Sequence, residues 1–342
     1  MSLRIIEISA PEKASDKIET LAEQYNAIDC WQSNRKSWLP GKKDERFTSR
    51  ILVNVDNQQD LLDALQRAVS KEDDWRIILI PVEATIPKTE NTDEKPKKEN
   101  GKPKIMGGSI TREELLNDME AGARLNFDFL LMVFLSAVVA GIGLIESNVA
   151  VIIGAMVIAP LLGPNLALAF GTTLGDRDLI FNAIKTNAAG LGLTLLISII
   201  AGLLIPVDSV TTSSELMDRT GVNFAGIILA LASGAAAVLS ITAGVSSALV
   251  GVMVAVALMP PAVALGLMIG EFRFDLAYGA ALLLAANIVS VNLAAQTVFY
   301  MKGIRPRTWY EEKKSKNAII LHNVIWISAL IILCALIWVK TT

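Results

Sequence analysis

The sequence predicts a mainly α-helical polytopic membrane domain of about seven spans, joined to an N-terminal α+β, ferredoxin-like cytoplasmic domain. Three observations lead there. The 342 residues are 52% hydrophobic and only 19% charged, with a positive mean hydropathy, a composition typical of integral membrane proteins rather than soluble enzymes. Charge is concentrated at one end: residues 1–124 hold 20 of the 31 Lys and Arg and 23 of the 34 Asp and Glu. The first third alternates short strand and helix patterns, whereas the rest is a series of apolar runs near the roughly 20 residues that cross a bilayer as a helix.

Within residues 1–86, "LRIIEIS" reads as a strand and "KIETLAEQY" stripes Ile18, Leu21, Ala22 and Tyr25 along one helical face. "IDCWQSN" is a second strand and "RFTSRILVNV" a third, with Ile51, Val53 and Val55 on one side. "QQDLLDALQRAV" then stripes Leu61, Leu62, Leu65, Ala68 and Val69, and "WRIILIPVEATI" closes a βαββαβ order. That order suggests two helices on a four-stranded antiparallel sheet. The fold alone gives no function. The segment has no phosphate-cradling glycine loop, no His or Cys cluster and no acidic pair at metal-ligand spacing, so the expectation is packing and oligomerisation. Small-molecule sensing is the sharper alternative. The loop Ser33 to Asp44, with Arg35, Lys36, Lys42 and Lys43, is the place for an anionic ligand if it is more than a solvated charged loop.

No signal-peptide pattern opens the chain, so this domain is expected to stay in the cytoplasm. Cys30 and Cys334, one in each part, read as unpaired packing residues, with no disulfide or thiol metal site. Residues 87–110, rich in Pro, Gly, Lys and Glu, cannot bury a core and read as a flexible linker. Residues 111–124 read as a juxtamembrane amphipathic helix. It opens with Thr111 and Glu114 at capping-box spacing and carries Leu115, Leu116 and Met119 on one side, to lie on the membrane or the next domain.

Residues 125–342 form the transmembrane part. Candidate spans are Phe127 to Ile145, Val149 to Gly171, Ala183 to Ile205, Phe224 to Ile241, Ser246 to Ile269, Leu276 to Tyr300 and Ala318 to Val339. The boundary between the fourth and fifth is poorly marked, because "SITAGVSS" holds no charge. The loop "KGIRPRTWYEEKKSK" after the sixth span is the most basic, and Arg177 and Lys185 follow the second. By the positive-inside rule the N-terminus lies in the cytoplasm and the C-terminus outside.

An internal echo runs through these spans. At an offset of 97 residues "IGAMVIAPLLGPNLAL" aligns with "VGVMVAVALMPPAVAL", matching Gly154 with Gly251, Met156 with Met253, Leu161 with Leu258 and Pro164 with Pro261. Residues 125–206 and 223–301 then read as two three-span repeats, with 318–339 a final span. An odd number of crossings inverts the second copy relative to the first, a plan common to secondary transporters with broken helices.

"SNVAVIIGAMVIAPLLGPNLALAFGTTLGD", with Gly154, Met156, Ala159, Pro160, Gly163 and Pro164, resembles the signature of the prokaryotic membrane family described as domain of unknown function 389. The resemblance spans roughly Phe127 to Arg305. It implies a multi-span protein of the prokaryotic cytoplasmic (inner) membrane with a variable soluble part, and carries no substrate or catalytic residue.

Proline deprives a helix of one N–H and displaces the carbonyl four residues back. Pro160 and Pro164 are therefore expected to free the carbonyls of Met156 and Pro160, and Pro260 and Pro261 those of Val256 and Ala257. At membrane depth such groups must meet protein, water or solute. A pathway is expected there, lined by Met156, Pro160, Gly163, Pro164, Asn165, Val256, Pro260 and Pro261. Asn187, Asn287, Asn292 and Gln296 are further polar candidates, with Thr194 and Ser198 roughly on the Asn187 face. The plain alternative is helix packing, which Gly226, Ala230 and Gly234 at four-residue spacing would also serve.

No ionisable residue lies deep inside an expected span, and His322 sits near the start of the last one. This disfavours proton coupling, and without a nucleophile and base pair no enzymatic activity is expected. The expectation is a transporter or channel for a small solute or ion with a cytoplasmic regulatory or oligomerisation domain. The competing expectation is a non-transporting signalling or scaffold protein. Partners are the lipid bilayer, the solute and further copies of the chain; neither nucleic acid nor a cofactor or metal is expected.

Overall fold

In the computed structural model the described residues are 3–35, 46–70, 75–82, 110–204, 213–222, 224–243, 247–304 and 324–339, without the side chains of Asn34, Arg35, Arg46, Asp56 and residues 247–257. Most of the Ser33–Asp44 loop and of the 87–110 linker, the basic loop from 305 on, and the start of the last expected span lie outside them. The chain forms two compact units, Met1–Arg112 and Glu113–Thr342.

The first unit is a small antiparallel sheet with two helices. Its elements are β1 (Leu3–Pro11), α1 (Ser15–Gln24), β2 (Asp29–Arg35), β3 (Arg46–Asn54), α2 (Val55–Val69) and β4 (Arg76–Val82). The spatial order is β2-β3-β1-β4, all neighbours antiparallel, which is the arrangement expected of a βαββαβ chain. Alternation on β1 buries Ile6, Ile8 and Ala10, and β3 adds Phe47, Ile51 and Val53. These pack on Ile18 and Ala22 of α1 and on Leu61, Leu65 and Val69 of α2, with Cys30 at the margin. The opposite sheet face carries an Arg50–Glu7 ion pair at 2.6 Å amid exposed Trp31, Ile78 and Ile80.

The second unit is helical. It comprises α3 (Arg112–Gly122, counted here from Glu113), α4 (Phe127–Ile145), α5 (Val149–Ile158), α6 (Leu162–Leu174), α7 (Arg177–Leu204), short α8 (Ser214–Asp218), α9 (Phe224–Thr242), α10 (Ser247–Gly270), α11 (Phe274–Met301) and α12 (Val324–Val339). Among the described residues α4, α7, α9 and α11 are each long and apolar enough to cross a membrane, and α5 with α6 passes jointly across a 54° bend. The fourth and fifth expected spans are separate helices. Helix α7 begins six residues earlier than its apolar run, because its first turns carry Arg177, Asp178 and Asn182.

Helix ends are capped locally. Asn126 and Asn148 accept the N–H groups of Phe129 and Val151 at the starts of α4 and α5, and Gly175 closes α6 in the left-handed conformation. Ser213 ties α8 to the end of α4 through the Leu144 carbonyl and bonds Ser147 at 2.8 Å. The last helix packs Leu330, Leu333, Cys334 and Ile337 against Ile227, Leu282 and Ala286.

Helix α10 packs along α7, and α9 along α11, through glycines rather than bulk. A Cβ on Gly202 would stand 2.5 Å from the Leu267 carbonyl oxygen and one on Gly234 2.6 Å from that of Val291, and one on Gly270 would collide with that of Ile199. Close backbone approach of this kind is how helices associate where no hydrophobic force separates lipid from protein. Gly202→Val is expected to cost about 1–3 kcal/mol through overpacking and to lower the melting temperature in detergent. Gly192→Ala, with nothing within 4 Å, should hold or raise it, since a helical glycine costs about 0.5–1 kcal/mol relative to alanine.

Candidate functional site

The apolar run from Val149 is interrupted where expected. Helix α5 ends at Ile158, and Ala159 is extended at φ −63°, ψ 117°, the conformation that a following proline imposes by clashing with a helical predecessor. The Ala159 N–H still reaches the Ala155 carbonyl at 3.0 Å. Pro160 therefore sets the break. Pro164 has a different place: it lies in the first turn of α6, where a helix has no use for the missing N–H. It shapes the restart and frees no carbonyl.

The second expected interruption is not found. Helix α10 is continuous from Ser247 to Gly270 with Pro260 and Pro261 inside it. Two adjacent prolines delete neighbouring bonds within one turn, and no glycine or amide lies within four residues of them along the chain to stabilise an open backbone. Both prolines, with Met259, Ala262, Val263 and Ala264, are buried. The side chain of Val256 lies outside the described residues. Thr194, on the α7 face toward α10, donates to its own Gly190 carbonyl at 2.9 Å and stands 3.9 Å from the Met259 sulfur.

Of the five amide candidates, Asn165, Asn187 and Asn292 converge on α6. The Asn165 amide nitrogen donates to the Leu161 carbonyl at 2.8 Å and to Asn187 Oδ1 of α7 at 3.0 Å. Its Oδ1 accepts from Asn292 Nδ2 of α11 at 3.3 Å, and Asn292 Nδ2 also donates to the Ile288 carbonyl at 2.9 Å. Asn165 is 3% exposed and Asn292 1%. A carbonyl can only accept, so the Leu161 and Ile288 carbonyls fix both amide orientations.

Gln296 lies one turn beyond Asn292 on α11, on the stripe that ends at Phe299, whose ring meets Phe170 of α6 edge-on at 5.2 Å between centroids. It is 1% exposed, and among the described residues neither its Oε1 nor its Nε2 has a hydrogen-bond partner, nor does Asn292 Oδ1. Asn287 is buried on α11 but about 140° around the helix from Asn292, so it stands off this stripe. Ser198 donates to the Thr194 carbonyl at 2.8 Å. Met156 is buried at the end of α5.

Sequence reasoning missed two hydroxyls that complete the surroundings. Ser136 Oγ donates to the Ala155 carbonyl at 2.7 Å, supporting α5 just before the break. Thr186 Oγ1 donates to the Ala123 carbonyl at 2.7 Å, and Gly163 abuts Gly122 so closely that a Cβ on either would lie 2.9 Å from the other's Cα. The end of α3 is thus seated on the start of α6, beside Asn187. The available signal was a lone hydroxyl inside an otherwise apolar span: Ser136 is the only one in α4.

The ionisable groups are peripheral. Glu271, just past α10, is 9% exposed, and neither carboxylate oxygen has a partner among the described residues. Burial pushes its carboxyl above the ordinary value, against the opposing pull of Arg273.

A family model described as "Domain of unknown function (DUF389)" matches residues 156–293. An uncharacterised protein of Methanocaldococcus jannaschii is 31% identical over 338 residues, covering 98% of this chain and 99% of its own. No solved structure matches the chain.

Two stability predictions follow from these contacts. Asn165→Leu leaves the Leu161 carbonyl and two amides short of a partner, which at about 1–3 kcal/mol per stranded group should lower the melting temperature in detergent. Glu271 binds its proton more tightly in the folded state, so stability should fall as pH rises from the ordinary carboxylate value through the raised one. Glu271→Gln should flatten that slope in melting curves taken across the acidic range.

Proposed function

The chain belongs to the family of membrane proteins described as domain of unknown function 389, and on that footing we propose that it is a transporter or channel for a small solute or ion. The observation that carries the reading is the amide cluster of buried Asn165 and Asn292 with half-buried Asn187 at an interrupted helix. An interruption inside an apolar bundle is tolerated only where protein or a water-filled path satisfies the backbone. Transporters place their substrate sites at such discontinuous helices.

The reading includes seven crossings and two inverted three-span repeats, α4 to α7 and α9 to α11. Its support is the reciprocal packing: the third helix of each repeat lies on the proline-bearing helix of the other, α7 on α10 and α11 on α6. It also includes a cytoplasmic N-terminal unit with a regulatory or oligomerisation role. A scaffold role is favoured by a separate observation, the exposed Trp31, Ile78 and Ile80 on the open sheet face.

Flux into liposomes containing the purified protein, measured for a panel of anions, cations and neutral solutes, separates the two; folded protein that passes none of them is a scaffold. Pro160→Ala releases Ala159 from its extended conformation and is expected to cut flux at least about tenfold, an effect of about 1.4 kcal/mol on a barrier. Pro164→Ala, at a position that needs no N–H, should leave most of it. Equal flux through both variants and the parent would remove the break from the mechanism.

A further inference from the structure

We propose that the pathway takes a small uncharged solute carrying both hydrogen-bond donors and acceptors, of the kind of urea or glycerol, which pairs with Asn292 Oδ1 and the Gln296 amide. The inference rests on the transport reading and goes one step past it.

The donor and acceptor count is specific. Both hydrogens of Asn165 Nδ2 are spent, on the Leu161 carbonyl and on Asn187. Both hydrogens of Asn292 Nδ2 are spent, on Asn165 and on the Ile288 carbonyl. What remains is one acceptor, Asn292 Oδ1, and a whole amide on Gln296, with one carbonyl oxygen and two N–H hydrogens. A buried polar group without a partner is costly and calls for one.

The stripe faces α6 at both ends, through the Asn292–Asn165 bond and the Phe299–Phe170 contact. Between Asn165 and Phe170, α6 offers only Leu166, Ala167, Leu168 and Ala169, so no side chain there can answer the Gln296 amide. Further along α6, Thr172 and Thr173 donate to their own Leu168 and Ala169 carbonyls. The missing partner is therefore something other than a side chain of α6.

Charge decides the class. Helices α5, α6, α9 and α10 contain no Asp, Glu, Lys, Arg or His; α11 has only Asp275 at its start, and α7 only Arg177, Asp178 and exposed Lys185 in its first turns. Outside the end turns just named, these helices offer an ion beside Gln296 no opposite charge in exchange for its hydration, the costly case of charge burial. A neutral molecule with N–H or O–H groups and an oxygen acceptor matches the unspent acceptors and donors together.

The test is stopped-flow light scattering of liposomes holding the full-length protein, challenged with urea or glycerol gradients, beside ion-reporter measurements with potassium chloride. The expected result is volume recovery at least tenfold faster than in protein-free vesicles for one of the two neutral solutes, with no matching salt flux. Gln296→Leu should return recovery to the protein-free rate while its melting temperature equals or exceeds that of the parent, because it removes an unpaired buried amide. Salt flux without neutral-solute flux would overturn the proposal and leave transport standing. No flux of any solute would overturn both. A Gln296→Leu variant that keeps full flux, or that melts well below the parent, would also overturn it, since the amide would then be idle or structurally bonded.

Discussion

The bond network of Asn165 is the constraint on which the membrane unit depends. An apolar bundle offers no water to an interrupted backbone, so the turn from Ala159 to Leu161 has to be satisfied by protein. Asn165 does so from within the restarting helix, folding its amide back onto the Leu161 carbonyl and outward to α7 and α11 at once. Ser136 supports the other side of the break at Ala155. A single side chain therefore holds the restart of α6 and sets how three helices meet. The glycines seat α3 and α10 closely enough that these contacts are made at van der Waals distance.

The two proline sites show what local sequence encodes and what it does not. Both were expected to open, on the same rule about the missing N–H. Only the first does, because Pro160 follows a residue that can become extended and precedes Gly163, which admits the backbone of Gly122. Pro260 and Pro261 sit in a tightly buried stretch of α10 with no such outlet, and the helix carries them unbroken. Proline marks where a helix can be interrupted, and tertiary packing decides whether it is.

The N-terminal unit was legible almost to its edges, since period-two alternation in β1 and β3 and the stripes of α1 and α2 belong to local sequence. The apolar helices were legible by length and hydropathy, apart from the polar first turns of α7. The identities of Asn165, Asn187, Asn292 and Gln296 could be picked out as polar exceptions in apolar runs. Their grouping could not, because Asn165 meets partners 22 and 127 residues away, and nothing in one sequence fixes how helices are rotated about their axes. Asn287 illustrates the point: the same residue type on the same helix lies off the stripe.

The polar cluster is also lopsided in a way that bears on its purpose. Under the 97-residue offset, Asn165 corresponds to Ala262, Asn187 to Leu284, and Asn292 to Leu195. The interface of α10 with α7, which carries Thr194 and Ser198, therefore has no amide at the places where that of α6 with α7 and α11 does. If amides were there only to join helices, the close glycine contacts at Gly266 and Gly270 would serve both interfaces. A packing role accounts for Asn165, whose bonds are complete, but not for Gln296, which spends burial on an amide and gains no bond from it. Stability alone would favour leucine at position 296, so the glutamine is best explained by a partner that comes and goes.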